Sequence, residues 1–119
     1  MEWLIDKRKE ISFSWIELKA TRVGEDIVAW IYGGEKPHVG CTVQSIPRLS
    51  LTGDGSVSVT SSVLNVVGHK DEAICKKVAE ALCVRYNAVV VCSGGFHMDN
   101  ITMGQIVEVL QAVEEMICE

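Results

Sequence analysis

Apolar and polar residues alternate along most of the first half of the chain, a pattern typical of β-strands. Alternating segments at 11–20, 39–51 and 57–63 each predict a strand, and the continuous apolar run at 27–32 predicts a buried central one. Within 11–20 the apolar positions change phase once, near Trp15 and Ile16. We interpret this change as a β-bulge.

The period then changes to that of helices. Apolar residues recur at helical spacing over 71–86 and 102–118, with a short apolar strand at 88–92 between them. Thr102 and Gln105 form a capping-box pattern at the start of the second helix. The order β-β-β-β-α-β-α predicts an α+β fold: one two-layer domain, a mostly antiparallel (mixed) sheet of about five strands, and two helices on one face. Residues 1–119 are expected to form this single domain, with 1–10 as an N-terminal extension and 11–119 as the folded part.

Composition narrows the function classes. The chain has 119 residues, of which 48% are hydrophobic, and a formal charge of −5, which disfavours general nucleic-acid binding. Neither a signal-peptide pattern nor an apolar run of membrane-spanning length is present, so we expect a cytoplasmic protein without a membrane span. Its five cysteines lack metal-ligand spacing and are expected to be small core hydrophobes.

The unusual chemistry gathers around the three histidines, each of which lies in a segment marked by proline or glycine. His38 follows Pro37, His69 follows Gly68, and His97 comes two residues after the pair Gly94-Gly95. Paired glycines allow backbone N–H groups to approach a ligand, and a helix start adds partial positive charge. Gly94-Gly95 before the 102–118 helix therefore suggests a phosphate cradle, although the glycines can equally serve only to turn the chain.

Two H-x-D patterns, His69–Asp71 and His97–Asp99, place an imidazole and a carboxylate two residues apart. In extended backbone such side chains point to the same side. With His38, these residues suggest either a divalent metal site or a site for the phosphate and hydroxyls of a ligand. Lys70 favours an anionic ligand. The alternative is that Asp71 and Asp99 only begin helices.

Three sequence blocks in this order resemble the prenylated-flavin chaperone family, small D-type accessory proteins of gallate and related decarboxylase systems. The blocks are Gly33-Gly34-x-x-Pro37-His38-x-Gly40, Gly68-His69-Lys70-Asp71 and Gly95-x-His97-x-Asp99-Asn100. The resemblance covers roughly residues 24–112. It implies a non-enzymatic chaperone that binds prenylated flavin mononucleotide (FMN) and protects it or delivers it to a UbiD-type decarboxylase.

The resemblance also implies partners and a site. The cofactor-binding residues would be Gly33, Gly34, Pro37, His38, Gly40, Gly68, His69, Lys70, Asp71, Gly94, Gly95, His97, Asp99 and Asn100, with Trp30, Tyr32 or Phe96 as a wall for the ring. A flavin prenyltransferase is a further possible partner, and the serine- and threonine-rich edge strand at 57–63 suggests a homodimer. We expect no catalytic residues. The sequence allows two alternatives to a chaperone: a small metal-dependent enzyme using the histidines and aspartates, and a purely structural accessory subunit.

Overall fold

A computed structural model describes residues 2–51, 53–66 and 70–118. The elements are β1 (Ile5–Glu10), β2 (Trp15–Val23), β3 (Asp26–Gly34), β4 (Cys41–Leu49), β5 (Val57–Asn65), α1 (Lys70–Tyr86), β6 (Val90–His97) and α2 (Met103–Cys118). One mixed sheet has the strand order β1-β2-β3-β6-β4-β5. The β3–β6 pair is parallel and the other pairs are antiparallel.

Both helices pack on one face of this sheet, which we call the inner face, and the opposite face is the outer face. Helix α1 covers β6, β4 and β5, while α2 lies over β1 and β2. The core between the layers is built from alternate residues of the strands, such as Leu18, Ile31 and Val43, against Leu82 and Val113 of the helices. The predicted α+β fold, with two helices on one face, is confirmed.

The sheet has six strands rather than about five, because residues 5–10 form an edge strand. Its sequence, IDKRKE, shows little apolar alternation, since Ile5 is the one apolar residue of the strand. Lysines take the inner-facing positions that follow. Lys7 donates a hydrogen bond to the carbonyl of Met116 (3.0 Å), and Lys9 forms an ion pair with Glu115. Long lysine stems can cover apolar surface while the charged end reaches a polar partner.

The β-bulge prediction is wrong. The change of phase near Trp15 arises because residues 11–14 form the turn between β1 and β2, closed by a hydrogen bond from Ile11 N–H to Ser14 O (3.0 Å). Ile11 and Phe13 belong to this turn, so their phase is independent of the alternation in β2.

Strand β6 is longer than the 88–92 segment predicted, and it contains both Gly94 and Gly95. The glycine pair therefore lies inside the sheet, whereas the sequence suggested a loop before a helix. At Gly94, where φ is +151°, a Cβ would lie 1.7 Å from the carbonyl oxygen of Ile31 in β3. Close pairing of two central strands requires glycine there.

The cysteine prediction is confirmed for four of the five and is wrong for Cys118, which is exposed. All five are free thiols, and Cys41, Cys75, Cys83 and Cys92 are buried. Burial raises the pKa of the Cys41 thiol to about 12, so it remains protonated at neutral pH. No helix among the described residues is long and apolar enough to cross a membrane.

Candidate functional site

The site forms where β6 extends past the beginning of β4. Pairing of the two strands starts at Cys41 opposite Gly94, and the hydrogen bond from Gly40 N–H to Gly94 O (2.9 Å) is adjacent to it. The next N–H group on this side of β6 belongs to Phe96, because backbone groups alternate along a strand. It donates to Oδ1 of Asp71 (2.9 Å). A carboxylate thus takes the place of a neighbouring strand.

Asp71 reaches this gap from the first turn of α1, and its side chain is only 12% exposed. Its Oδ2 lies 3.0 Å from Nε2 of His38. A Cβ at Gly40 would lie 2.1 Å from that oxygen, and one at Gly95 would lie 2.9 Å from it. The two glycines therefore leave the space in which the aspartate–histidine pair sits.

His38 is held through both ring nitrogens. Nδ1 lies 3.1 Å from the carbonyl oxygen of Lys36, and Nε2 faces Asp71. A carbonyl and a carboxylate are both acceptors, so both ring nitrogens face a polar partner within the protein. The pair presents a fixed imidazole at the surface, with 42% of the His38 side chain exposed.

His97, the last residue of β6, completes this group. Its Nε2 lies 2.9 Å from Oδ1 of Asp99, so the two side chains of this H-x-D pattern do meet. The rings of His38 and His97 are 6.0 Å apart and nearly perpendicular. An opening of about 280 Å³ is lined by Lys36, His38 and His97. We call Lys36, His38, Asp71 and His97 the histidine shelf.

The other residues singled out from the sequence fall into three groups. Gly33 and Gly34 serve strand packing, since Cβ atoms there would lie 2.2 Å from Trp15 O and 2.3 Å from His97 O. Pro37 is exposed in the loop before His38, and Asn100 adopts a left-handed conformation (φ +58°) in the turn after Asp99. Gly68 and His69 lie outside the described residues, as does the side chain of Lys70.

The predicted ring-wall residues lie on opposite faces. Phe96 is on the inner face, where its ring packs edge-on against Phe13 at 6.1 Å. It borders a cleft of about 80 Å³ between α1, β6 and α2, which is apolar except for Asp71. Trp30 and Tyr32 lie on the outer face, against Trp3 and Trp15.

The pairing of Asp71 with His38 was not predicted, nor was the contribution of Lys36 and of the Phe96 N–H. Lys36 could have been found from the sequence, because it lies two residues before His38 in the same loop. Within 2–51, 53–66 and 70–118, no three histidine, cysteine or acidic side chains are grouped to hold a metal ion. The described residues therefore give the metal alternative no support.

The sequence also matches a known protein family. Residues 12–119 match the prenylated flavin chaperone LpdD-like domain. The chain belongs to the prenylated flavin chaperone family. The matched region contains all four residues of the histidine shelf, and it confirms the resemblance seen in the three sequence blocks.

Other comparisons add information on the fold. No curated protein is significantly similar to the chain in sequence. Among solved structures, the chain is similar to one described as the crystal structure of a novel chaperone complex for yeast 20S proteasome assembly, with a TM-score of 0.55 and 14% identity. The alignment covers 98% of this chain and 94% of that one. At this identity the likeness concerns the fold.

Proposed function

We propose that this protein binds prenylated FMN and protects it or delivers it to a UbiD-type decarboxylase, without catalysing a reaction itself. The observation that carries the proposal is the histidine shelf, a fixed imidazole pair beside a lysine at one end of the sheet, in a chain whose family is named for prenylated flavin. The other predicted site residues that surround it, Gly40, Gly95 and Asp99, have the supporting contacts described above.

The shelf suits the phosphate of a flavin mononucleotide. Lys36 can supply positive charge to a phosphate, and His97 can contact it through its ring. The Asp71 carboxylate is engaged within the shelf, since it accepts a hydrogen bond from Phe96 N–H and its Oδ2 lies 3.0 Å from Nε2 of His38. His97 engages Asp99 through Nε2, which leaves Nδ1 for a ligand.

The polar residues nearest the glycines support a binding role more than a catalytic one. The hydroxyl of Ser93 is hydrogen-bonded to that of Thr42 (2.9 Å), and the sequence around it lacks the G-x-S-x-G frame of a nucleophile elbow. Cys92 is fully buried. Neither side chain is prepared as a nucleophile.

The client decarboxylase and the flavin prenyltransferase are the protein partners of this proposal, and the cytoplasm is its setting. Five free cysteines suit a reducing compartment.

Gel filtration under nitrogen tests cofactor binding. Purified protein mixed at micromolar concentration with reduced prenylated FMN should elute together with the flavin. Separate elution of flavin and protein would refute the proposal. The remaining alternative would then be a purely structural subunit. That alternative predicts that His97→Ala leaves every ligand-binding assay unchanged. Delivery is tested separately, because loaded protein should activate a cofactor-free UbiD-type decarboxylase faster than the same amount of free cofactor.

A further inference from the structure

The three tryptophans of the chain all lie on the outer face of the sheet, the face that neither helix covers. Trp3 and Trp30 pack edge-to-face with ring centroids 5.8 Å apart, and Trp15 packs in the same way on Tyr32 at 6.2 Å. The aromatic side chains cover β2 and β3 together with the residues just before β1. Large aromatic groups in a row on an open sheet face are suited to stacking against a planar ligand.

Polar contacts fix two of these rings. The Tyr32 hydroxyl donates to Oε2 of Glu17 (2.6 Å), and the other oxygen of Glu17 accepts from Arg8 (3.0 Å). The Arg8 guanidinium lies 4.4 Å from the centre of the Trp15 ring. Rings held in this way lose little conformational entropy when a ligand stacks on them.

A hollow of about 350 Å³ lies among Trp3, Lys19, Trp30 and Tyr32. The Lys19 ammonium group is 5.2 Å from the centre of the Trp3 ring, so the hollow combines flat apolar walls with a cation. Sites for ligands of cofactor size typically measure about 300–1,000 Å³. The hollow reaches that range, whereas the inner-face cleft of about 80 Å³ does not.

The hollow lies close to the histidine shelf. Tyr32 pairs with Gly95 across the parallel strands, and Gly34 pairs with His97. From Tyr32, His97 is one strand across and two residues along, roughly 8 Å by the usual sheet spacings. Gly95 lies between them, and the space that a side chain would take there is occupied by Asp71 and His38, two residues of the shelf.

We propose that this outer-face hollow, formed by Trp3, Lys19, Trp30 and Tyr32, binds the planar ring system of the flavin. The phosphate then lies at the histidine shelf, and the ribityl chain spans the distance between the hollow and the shelf. This inference rests on the proposed function and adds to it which face of the sheet takes the ring.

The test measures the affinity of the full chain for prenylated FMN in wild type, Trp30→Ala, Trp30→Phe and Ile106→Ala. Ile106 lines the inner-face cleft and is the matched control. Trp30→Ala should raise Kd at least about tenfold, because the ligand loses an aromatic surface on which to stack. Trp30→Phe should restore most of the affinity, and Ile106→Ala should leave it unchanged. Melting temperatures identify any variant that is not folded.

The outcomes separate the two proposals. If wild type binds no flavin, the proposed function itself fails. If wild type binds and Trp30→Ala binds equally well while Ile106→Ala is weakened, the ring lies in the inner-face cleft and only this inference is overturned. If Trp30→Ala keeps full affinity but changes the mass seen by light scattering, the outer face at Trp30 is an interface between copies, which also overturns it.

Discussion

Gly94 and Gly95 are neighbours in β6, yet a methyl group would meet different surroundings at each position. At Gly94 it would collide with the backbone carbonyl of Ile31, in a conformation (φ +151°) that other residues rarely adopt. At Gly95 it would meet side-chain atoms of Asp71 and His38, each at 2.9 Å. One substitution therefore acts on the strand pairing and the other acts on the histidine shelf.

We expect Gly94→Ala to lower the free energy of unfolding by more than about 1 kcal/mol, because neither the φ angle nor the neighbouring backbone can accommodate it. Gly95→Ala should move the melting temperature by only a few degrees, because the atoms that it meets are the ends of two side chains and not backbone. It should also weaken flavin binding at least about tenfold, or roughly 1.4 kcal/mol. Thermal denaturation measures the changes in stability, and titration with prenylated FMN measures the change in affinity. Full affinity in Gly95→Ala would mean that the shelf does not hold the ligand.

The Tyr32–Glu17 hydrogen bond leads us to expect a loss of stability at high pH. Burial, and then the bond to Glu17, raise the pKa of Tyr32 to about 12. Because the folded pKa lies above the ordinary value of 10.0, the stability linked to this proton is fully present below pH 10 and is lost as the pH rises toward 12. In a Tyr86→Phe background, ultraviolet titration reports Tyr32 alone. Glu17→Gln should lower its pKa, whereas Glu25→Gln should not. An unchanged pKa in Glu17→Gln would contradict the contact.

At the scale of elements, the sequence predicted helices better than strand ends. The two helices, expected at 71–86 and 102–118, occupy 70–86 and 103–118, because a long amphipathic period is a strong signal. Strand β1 was missed because lysines fill its inner-facing positions. The end of β6 was missed because Ser93-Gly94-Gly95 has the composition of a turn. In the structure these glycines allow β3 to pair closely with β6, and local sequence does not record such a contact.

The candidate site was predicted only in part, because local sequence does not record contacts between distant segments. Spacing paired Asp71 with His69 and correctly paired His97 with Asp99. The actual partner of Asp71, His38, lies 33 positions earlier, and their contact depends on where β4 begins beside β6. Such a register is set by pairing across the whole sheet. The three blocks nevertheless named every residue of the shelf except Lys36, which lies at an unspecified position of the first block.

The capping box at α2 provides a test at this scale. Thr102 N–H donates to the Gln105 side chain (2.9 Å), and Gln105 N–H donates to the Thr102 hydroxyl (3.1 Å), as the sequence pattern predicted. Thr102→Ala should cost about 1 kcal/mol of unfolding free energy and leave flavin affinity unchanged. Thr102→Ser, which keeps the oxygen, should retain most of the stability. A loss of affinity in Thr102→Ala without loss of stability would place the helix start in the site.

For the whole molecule, the edge strand β5 and the apolar side chains beside it suggest self-association. Leu64 is 74% exposed and Ile46 is 45% exposed, on the β4–β5 half of the outer face, away from the tryptophans. Exposed apolar side chains on an edge hairpin favour pairing with another copy. Light scattering should give twice the 13.1 kDa of one chain. Leu64→Lys should give the single mass, and Val23→Lys, at an exposed site on β2, should not. A single mass in wild type would rule out the dimer.

The central claim is that the histidine shelf holds the phosphate of a prenylated flavin, and one titration tests it most directly. Wild type and His97→Ala are each titrated with prenylated FMN and with the same ring system lacking the phosphate. Wild type should bind the phosphorylated form at micromolar concentration or below and prefer it at least about tenfold, or roughly 1.4 kcal/mol. His97→Ala should lose most of this preference. An undiminished preference for the phosphorylated form in His97→Ala, or no binding by wild type, would contradict the claim.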